Sequence, residues 1–170
     1  MGAGKSAHGR ELASIMNMEF VDLDAAIRNI TGKKIADIFK QYGESEFRRI
    51  ELSTLEKLLS ANPQVIALGG GALQTEEVVA LVKNKSILCF IDAPFDVILS
   101  RVQKNNKRPL LLNEDGVLKP ESEISSLISS LFEKRLPSYL EAQIHYQPKA
   151  GLSVKKSAHL LYEKILDHAR

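Results

Sequence analysis

Three groups of residues in this chain have the types and spacing to do chemistry. The first is Gly2-Ala3-Gly4-Lys5-Ser6-Ala7, which runs straight into a stretch carrying Leu12, Ile15 and Met16 at helical spacing. Glycines let backbone N–H groups close around phosphate oxygens, and a helix start adds further donors and the positive end of its dipole. In such a loop Lys5 reaches the β- and γ-phosphates of a nucleotide and the Ser6 hydroxyl ligates Mg²⁺. Gly-Lys-Ser also occurs at ordinary helix starts, and the first Gly of the full phosphate-binding pattern has no counterpart here. The second group is Asp22 and Asp24, at the tip of the strand-like run Glu19-Phe20-Val21-Asp22. In open α/β sheets, ligands bind beyond the carboxyl ends of the strands. One carboxylate there can hold Mg²⁺ through water while the other takes a hydroxyl proton. Read alone, Asp24 is better explained as the cap of the next helix. The third group is Gly69-Gly70-Gly71, more glycine than a strand-ending turn requires.

These groups need a scaffold, and hydrophobic periodicity supplies its outline. Residues 5–17 read as a helix and 19–22 as a strand. Residues 24–42 read as two short helices broken near Thr31 and Gly32. Gly43 stops that pattern, and 44–60 resume it with Phe47, Ile50, Leu55 and Leu58. Residues 64–68 form a short strand, after which Thr75 caps a helix opening with Glu76 and Glu77. The nearly continuous apolar run 86–91 has the signature of a parallel strand buried on both faces, with Cys89 as a small core hydrophobe. Pro94 suits the first turn of the helix that follows. Residues 105–120 are polar, with Gly and Pro, and read as a surface loop. Residues 121–142 are helical with an interruption at Leu136 and Pro137, and 144–147 form a weak strand. Val154, Ala158, Leu161, Tyr162, Ile165 and Leu166 make a final helical stripe. Strands alternating with helices predict a parallel sheet covered on both sides.

Composition excludes several classes. The 170 residues suit one domain with a substantial core. One Cys rules out a disulfide framework and a cysteine-built zinc site. The 23 basic and 21 acidic side chains are interspersed, and with 6% aromatics and no Trp a nucleic-acid partner is not indicated. No apolar run approaches the roughly 20 residues of a membrane helix. No basic-then-apolar leader opens the sequence, so a cytoplasmic protein without membrane partners is expected. His8, His145, His159 and His168 lack ligand spacing.

Taken in order, Gly2-Ala-Gly-Lys-Ser6, Phe20-Val-Asp22-Leu-Asp24, Thr31-Gly-Lys-Lys-Ile35-Ala-Asp-Ile-Phe39, Gly43-Glu-Ser-Glu-Phe-Arg48-Arg-Ile-Glu51, Leu68-Gly-Gly-Gly-Ala72, Arg108-Pro-Leu-Leu111 and Arg135-Leu-Pro-Ser-Tyr139 resemble shikimate kinase over essentially the whole chain. The resemblance implies a three-layer α/β/α fold with a central parallel sheet, like that of nucleoside-monophosphate kinases. It implies a substrate-binding helical segment at about 24–51 and a lid at about 105–120. The implied reaction is phosphorylation of the 3-hydroxyl of shikimate by ATP with Mg²⁺, on the way to chorismate and the aromatic amino acids, by a monomer.

The resemblance also assigns roles. Arg48 and Arg135 match the carboxylate-binding arginines, a task suited to the planar guanidinium fork. Asp24 matches the aspartate on the reacting hydroxyl, and Gly70 the glycine whose backbone approaches the substrate. Ser6 is the direct Mg²⁺ ligand and Asp22 the carboxylate behind it. Gly2, Ala3, Gly4, Lys5, Ser6 and Ala7 contact the nucleotide, Arg101 stacks on adenine, and Arg108 arrives from the lid to stabilise charge on the transferred phosphoryl. Ala7 departs from the hydroxyl residue common at that place. A kinase for another polyol acid such as gluconate, or a silent binding homologue, are the rival readings. In the family a strand precedes the phosphate loop in mid-sheet. The expectation is therefore that the natural chain begins about ten residues before Met1, with apolar β-branched residues leading into the loop.

Overall fold

The computed structural model describes residues 2–104, 109–113 and 115–170. Seven helices and four strands alternate along them: α1 (Lys5–Met16), β1 (Glu19–Asp22), α2 (Leu23–Thr31), α3 (Ile35–Leu59), β2 (Gln64–Ala67), α4 (Glu76–Lys85), β3 (Cys89–Ile91), α5 (Phe95–Gln103), α6 (Glu121–Leu140), β4 (Ile144–Tyr146) and α7 (Val154–His168). Every strand pairing is parallel. β1 lies against β2 with Glu19 opposite Gln64, and β3 against β4 with Cys89 opposite Ile144. The described strands make two separate two-stranded sheets, with no ladder between β2 and β3.

Helices cover both faces. Successive strand side chains point to opposite faces. Val65 and Cys89 pack into a cluster with Leu12 of α1, Leu161 and Ile165 of α7, and Ile144 and Tyr146 of β4. Their neighbours Ile66 and Phe90 pack instead with Leu23, Ile27, Ile38, Phe47, Leu55, Val78 and Val82 from α2, α3 and α4. A third cluster joins α5 and α6 through Ile98, Val102, Ile124 and Ile128. The layers are helix, parallel sheet, helix.

Several local expectations need correction. The helix expected to break at Leu136 and Pro137 runs through, with Pro137 inside α6. Proline's fixed φ is compatible with the helix, so the local cost is one backbone hydrogen bond and a ring clash that the surrounding packing outweighs. The strand expected over 86–91 is paired only at Cys89–Ile91. Gly43 does interrupt helical geometry, at φ 81° and ψ 176°, yet the two helical arms join there into the single element α3. Asp24 does not cap α2. Asp22 does, accepting from the Ala25 N–H at 3.1 Å, because the helix starts one residue earlier than the pattern suggests.

Candidate active site

The phosphate loop takes the conformation that its glycines permit. Gly2 and Gly4 sit at φ 76° and 88°, a region that L side chains avoid by about 1–2 kcal/mol, and Gly4 is the N-cap of α1. Lys5 and Ser6 therefore open the helix, where its unpaired N–H groups and dipole favour anions. Arg101 of α5 donates from Nη1 to the Gly2 carbonyl at 3.2 Å. Its guanidinium thus lies on the loop itself. Ala7 is exposed on the first helical turn.

His8 has no ligand spacing in the chain, and its place became visible only in the fold. It is 3% exposed, with Nδ1 3.0 Å from the Gly4 carbonyl and Nε2 3.0 Å from Ser157 Oγ. A carbonyl can only accept, so Nδ1 donates to it, and in the Nδ1–H tautomer Nε2 accepts from the Ser157 hydroxyl. Ser157 in turn accepts from the Tyr146 hydroxyl at 2.7 Å. This chain ties the phosphate loop to α7 and β4. Its members are 149 positions apart, beyond any local pattern.

Ser6 and Asp22 meet. The Ser6 hydroxyl donates to Asp22 Oδ2 at 2.8 Å, while Oδ1 is held by the α2 cap. Hard oxygen donors at a phosphate loop suit Mg²⁺, which keeps several waters and uses one or two protein oxygens alongside phosphates. Among the described residues no group of three or more His, Cys, Asp or Glu could form an all-protein cage.

At the other end of the cleft, the glycine turn is a meeting place. A methyl group on Gly69 would come within 2.9 Å of Asp24 Oδ1 and 3.5 Å of Glu51 Oε1. One on Gly71 would lie 3.0 Å from Arg48 Nη2 and 3.6 Å from Arg135 Nη2. Absence of side chains here is what lets two arginines and an aspartate reach one small volume. The Gly70 carbonyl accepts from the Tyr139 hydroxyl at 2.7 Å, which pins the turn to α6.

Arg48 is held from three sides. It donates to Glu51 Oε2 at 2.6 Å, to Gln74 Oε1 at 2.8 Å and to Glu44 Oε1 at 3.0 Å. Glu51, 2% exposed, is the second residue that single-sequence reasoning left without a role. Burial pushes its carboxyl above the ordinary range, Arg48 pulls it back, and Asp24 adds a smaller upward push. Arg135 presents a buried Nε with no hydrogen-bond partner among the described residues. Such donors are rare, and one beside a second guanidinium marks a place where an anion belongs. Burial likewise raises the Tyr139 hydroxyl's pKa, against the pull of Arg135. Cys89 is driven to about 11 by burial, which makes it an inert core thiol. Arg108, expected on the lid, lies outside the described residues.

A phosphate cradle faces a pair of guanidinium groups across the strand ends, and this is the arrangement of a P-loop kinase for small molecules. A profile of the family described as Shikimate kinase matches residues 1–166. The Chlorobium phaeobacteroides shikimate kinase is 38% identical over 150 residues, covering 88% of this chain and 79% of the relative. The Chlorobaculum tepidum shikimate kinase is 37% identical over 172 residues, covering 99% of this chain and 88% of the relative. Among solved structures, an Acinetobacter baumannii shikimate kinase in complex with shikimate superposes with a TM-score of 0.83 at 32% identity, covering 98% of this chain and 89% of that one. The chain belongs to the shikimate kinase family, whose phosphoryl donor is ATP. No described helix is long and apolar enough to cross a membrane.

Proposed function

We propose that this protein transfers the γ-phosphoryl group of ATP to the 3-hydroxyl of shikimate, giving shikimate 3-phosphate for the route to chorismate and the aromatic amino acids. The observation that carries this reading is the convergence of Arg48 and Arg135 on Gly71, with the Arg135 Nε buried and unpartnered among the described residues. Two guanidinium groups there bind the substrate carboxylate. Asp24, against Gly69 and 24 or more positions from either arginine in sequence, orients the reacting hydroxyl and takes its proton.

Gly2, Ala3 and Gly4 turn backbone N–H groups toward the phosphates, with Ala7 on the same turn. Lys5 neutralises the β- and γ-oxygens. Arg101 steadies the loop through the Gly2 carbonyl. Ser6 and Asp22 would hold Mg²⁺, which would supply neutralisation of the phosphate charge. Gly70 offers its backbone to the substrate, and Arg108 closes from a lid at about 105–120 to stabilise the phosphoryl in flight. Residues 24–51 form the substrate segment of a single domain. The protein acts as a cytoplasmic monomer.

A coupled ADP-release assay with shikimate, gluconate or no acceptor tests the reading. Shikimate-dependent ADP release is expected. Equal turnover with gluconate would favour a kinase for other polyol acids. Shikimate binding by calorimetry without turnover would mean a silent homologue.

A further inference from the structure

The phosphate loop is braced by a side chain set behind it. Gly4 joins the loop to the helix as the N-cap of α1, and its carbonyl oxygen accepts twice from one residue. One donor is the His8 backbone N–H at 3.0 Å, the ordinary first bond of the helix, and the other is His8 Nδ1, also at 3.0 Å. A carbonyl oxygen has two lone pairs, and His8 fills both. The peptide joining Gly4 to Lys5 is planar and trans, so holding its C=O along the helix turns the Lys5 N–H the opposite way, out of the helix start. That N–H is one of the donors with which such a loop cradles phosphate oxygens. The fit around Gly4 is close. A methyl group there would lie 3.2 Å from His8 Nδ1 and 3.3 Å from Arg101 Nη1, so imidazole and guanidinium hold the same glycine.

A bond from Nδ1 to the carbonyl four residues earlier would by itself leave the ring free to change rotamer. Here the far edge is clamped. Nε2 lies 3.0 Å from Oγ of Ser157, at the end of the first turn of α7, and Ser157 lies 2.7 Å from the hydroxyl of Tyr146, the last residue of β4. All three residues are buried. In the Nδ1–H tautomer the bonds run one way, from Tyr146 to Ser157 to His8 to the Gly4 carbonyl, and both hydroxyl hydrogens and both ring nitrogens are used. An apolar trio of the same shape would pack α1 against α7 at little cost, since replacing both partners of a buried hydrogen bond is nearly neutral. What apolar side chains cannot supply is a direction for the Gly4 carbonyl. We propose that His8 is a positioning residue for the nucleotide: backed by Ser157 and Tyr146, it sets the Gly4–Lys5 peptide so that the loop meets the phosphates of ATP without reorganising. This deepens the reading of residues 2–7 as the phosphate site and rests on it. It concerns affinity for the nucleotide, not the identity of the acceptor.

Calorimetry with ADP and Mg²⁺, and separately with shikimate, tests it on the parent and its variants, with a thermal melt of each. His8→Leu fills the space without a donor. It is expected to raise the ADP Kd about threefold to tenfold, the effect of one hydrogen bond, while the shikimate Kd holds within about twofold. His8→Asn places an amide N–H where Nδ1 stood and should recover most of that loss. Ser157→Ala lies outside the loop and should weaken ADP in the same direction. In the Leu background it should add nothing, because the ring it clamps is gone. The phosphorus NMR resonance of the ADP β-phosphate should move in the Leu variant and return in the Asn variant. If His8→Leu does not fold, Ser157→Ala and Tyr146→Phe give the same readout from outside the loop. An ADP affinity within about twofold of the parent in the folded Leu variant would overturn the proposal. So would equal losses for ADP and shikimate, or an Asn variant no better than Leu. A parent that binds no ADP would remove residues 2–7 as a nucleotide site and the proposal with them. The ADP comparison reads the same whether or not shikimate binds, so failure of the acceptor assignment shows separately.

Discussion

Replacing Arg48 with Lys keeps a positive charge and removes the fork, so it separates geometry from charge at the centre of the site. In the free protein the guanidinium spends its donors on Glu51, Gln74 and Glu44 at 2.6, 2.8 and 3.0 Å. An ammonium is a single point and keeps the Glu51 contact at best. The Glu44 side chain is 63% exposed, and losing a pair there costs a few tenths of a kcal/mol. The loss that matters is the second parallel bond to the substrate carboxylate. A charge-assisted hydrogen bond contributes about 1.5–3 kcal/mol, so the shikimate KM should rise about tenfold to a hundredfold at 1.4 kcal/mol per decade. The ATP KM should hold, because Arg48 touches nothing on the phosphate loop. Steady-state kinetics with each substrate varied in turn would measure both, and a thermal melt would check that Glu51 has kept a partner. A buried carboxylate left alone would cost about 3–5 kcal/mol, and a drop of that size would show that the lysine falls short. Unchanged shikimate kinetics in a folded R48K protein would remove Arg48 from the binding site. Equal increases in both KM values would refute the assignment by pointing to general distortion.

Three further outcomes are expected. Asp24→Asn should fold with less than about 1 kcal/mol lost, since Asp22 and not Asp24 caps α2 and Asn keeps the size of the side chain, yet it should lose most transfer while retaining nucleotide. Full activity would exclude Asp24 as the proton acceptor. Arg108→Ala should lower kcat by about 10³–10⁵ with little change in shikimate affinity, as for arginine fingers. A kcat within about threefold, under 1 kcal/mol of barrier, would leave the loop as a connection only. Glu51→Gln tests the buried carboxyl: its folded pKa is raised, so the native state holds more protons than the unfolded chain, and stability from this group is full at low pH and lost as pH rises through the folded pKa. Urea titrations from about pH 4 to about pH 8 should therefore show the Gln protein gaining on the parent as pH rises. A parent that gains instead would mean that the Arg48 pair outweighs burial.

How much of this was legible without coordinates differs by the reach of the signal. The phosphate loop, the capping Thr75, the breaks at Gly32 and Gly43 and the stripe of α7 all lie within a few residues of their causes, and local sterics or helical period expresses them. The functional assignment was legible for a different reason. Seven short motifs in a fixed order identify the family even though no motif by itself states what its residues touch.

What only the tertiary structure decided are the contacts between distant segments. Asp22 rather than Asp24 caps α2, a two-residue shift that periodicity does not resolve, and Asp22 is at the same time bonded to Ser6 across 16 positions. Pro137 stays inside α6 because packing outweighs its local preference. His8 finds Ser157, and Glu51 is buried beneath Arg48, through packing of whole layers that no window of sequence contains. The lack of a ladder between β2 and β3 among the described strands belongs to the same class. A strand's side-chain alternation is written in the chain, but which backbone edges lack a neighbour depends on where the other strands lie. Propensity and motif chemistry are properties of segments, whereas burial and hydrogen-bond satisfaction are properties of the folded whole.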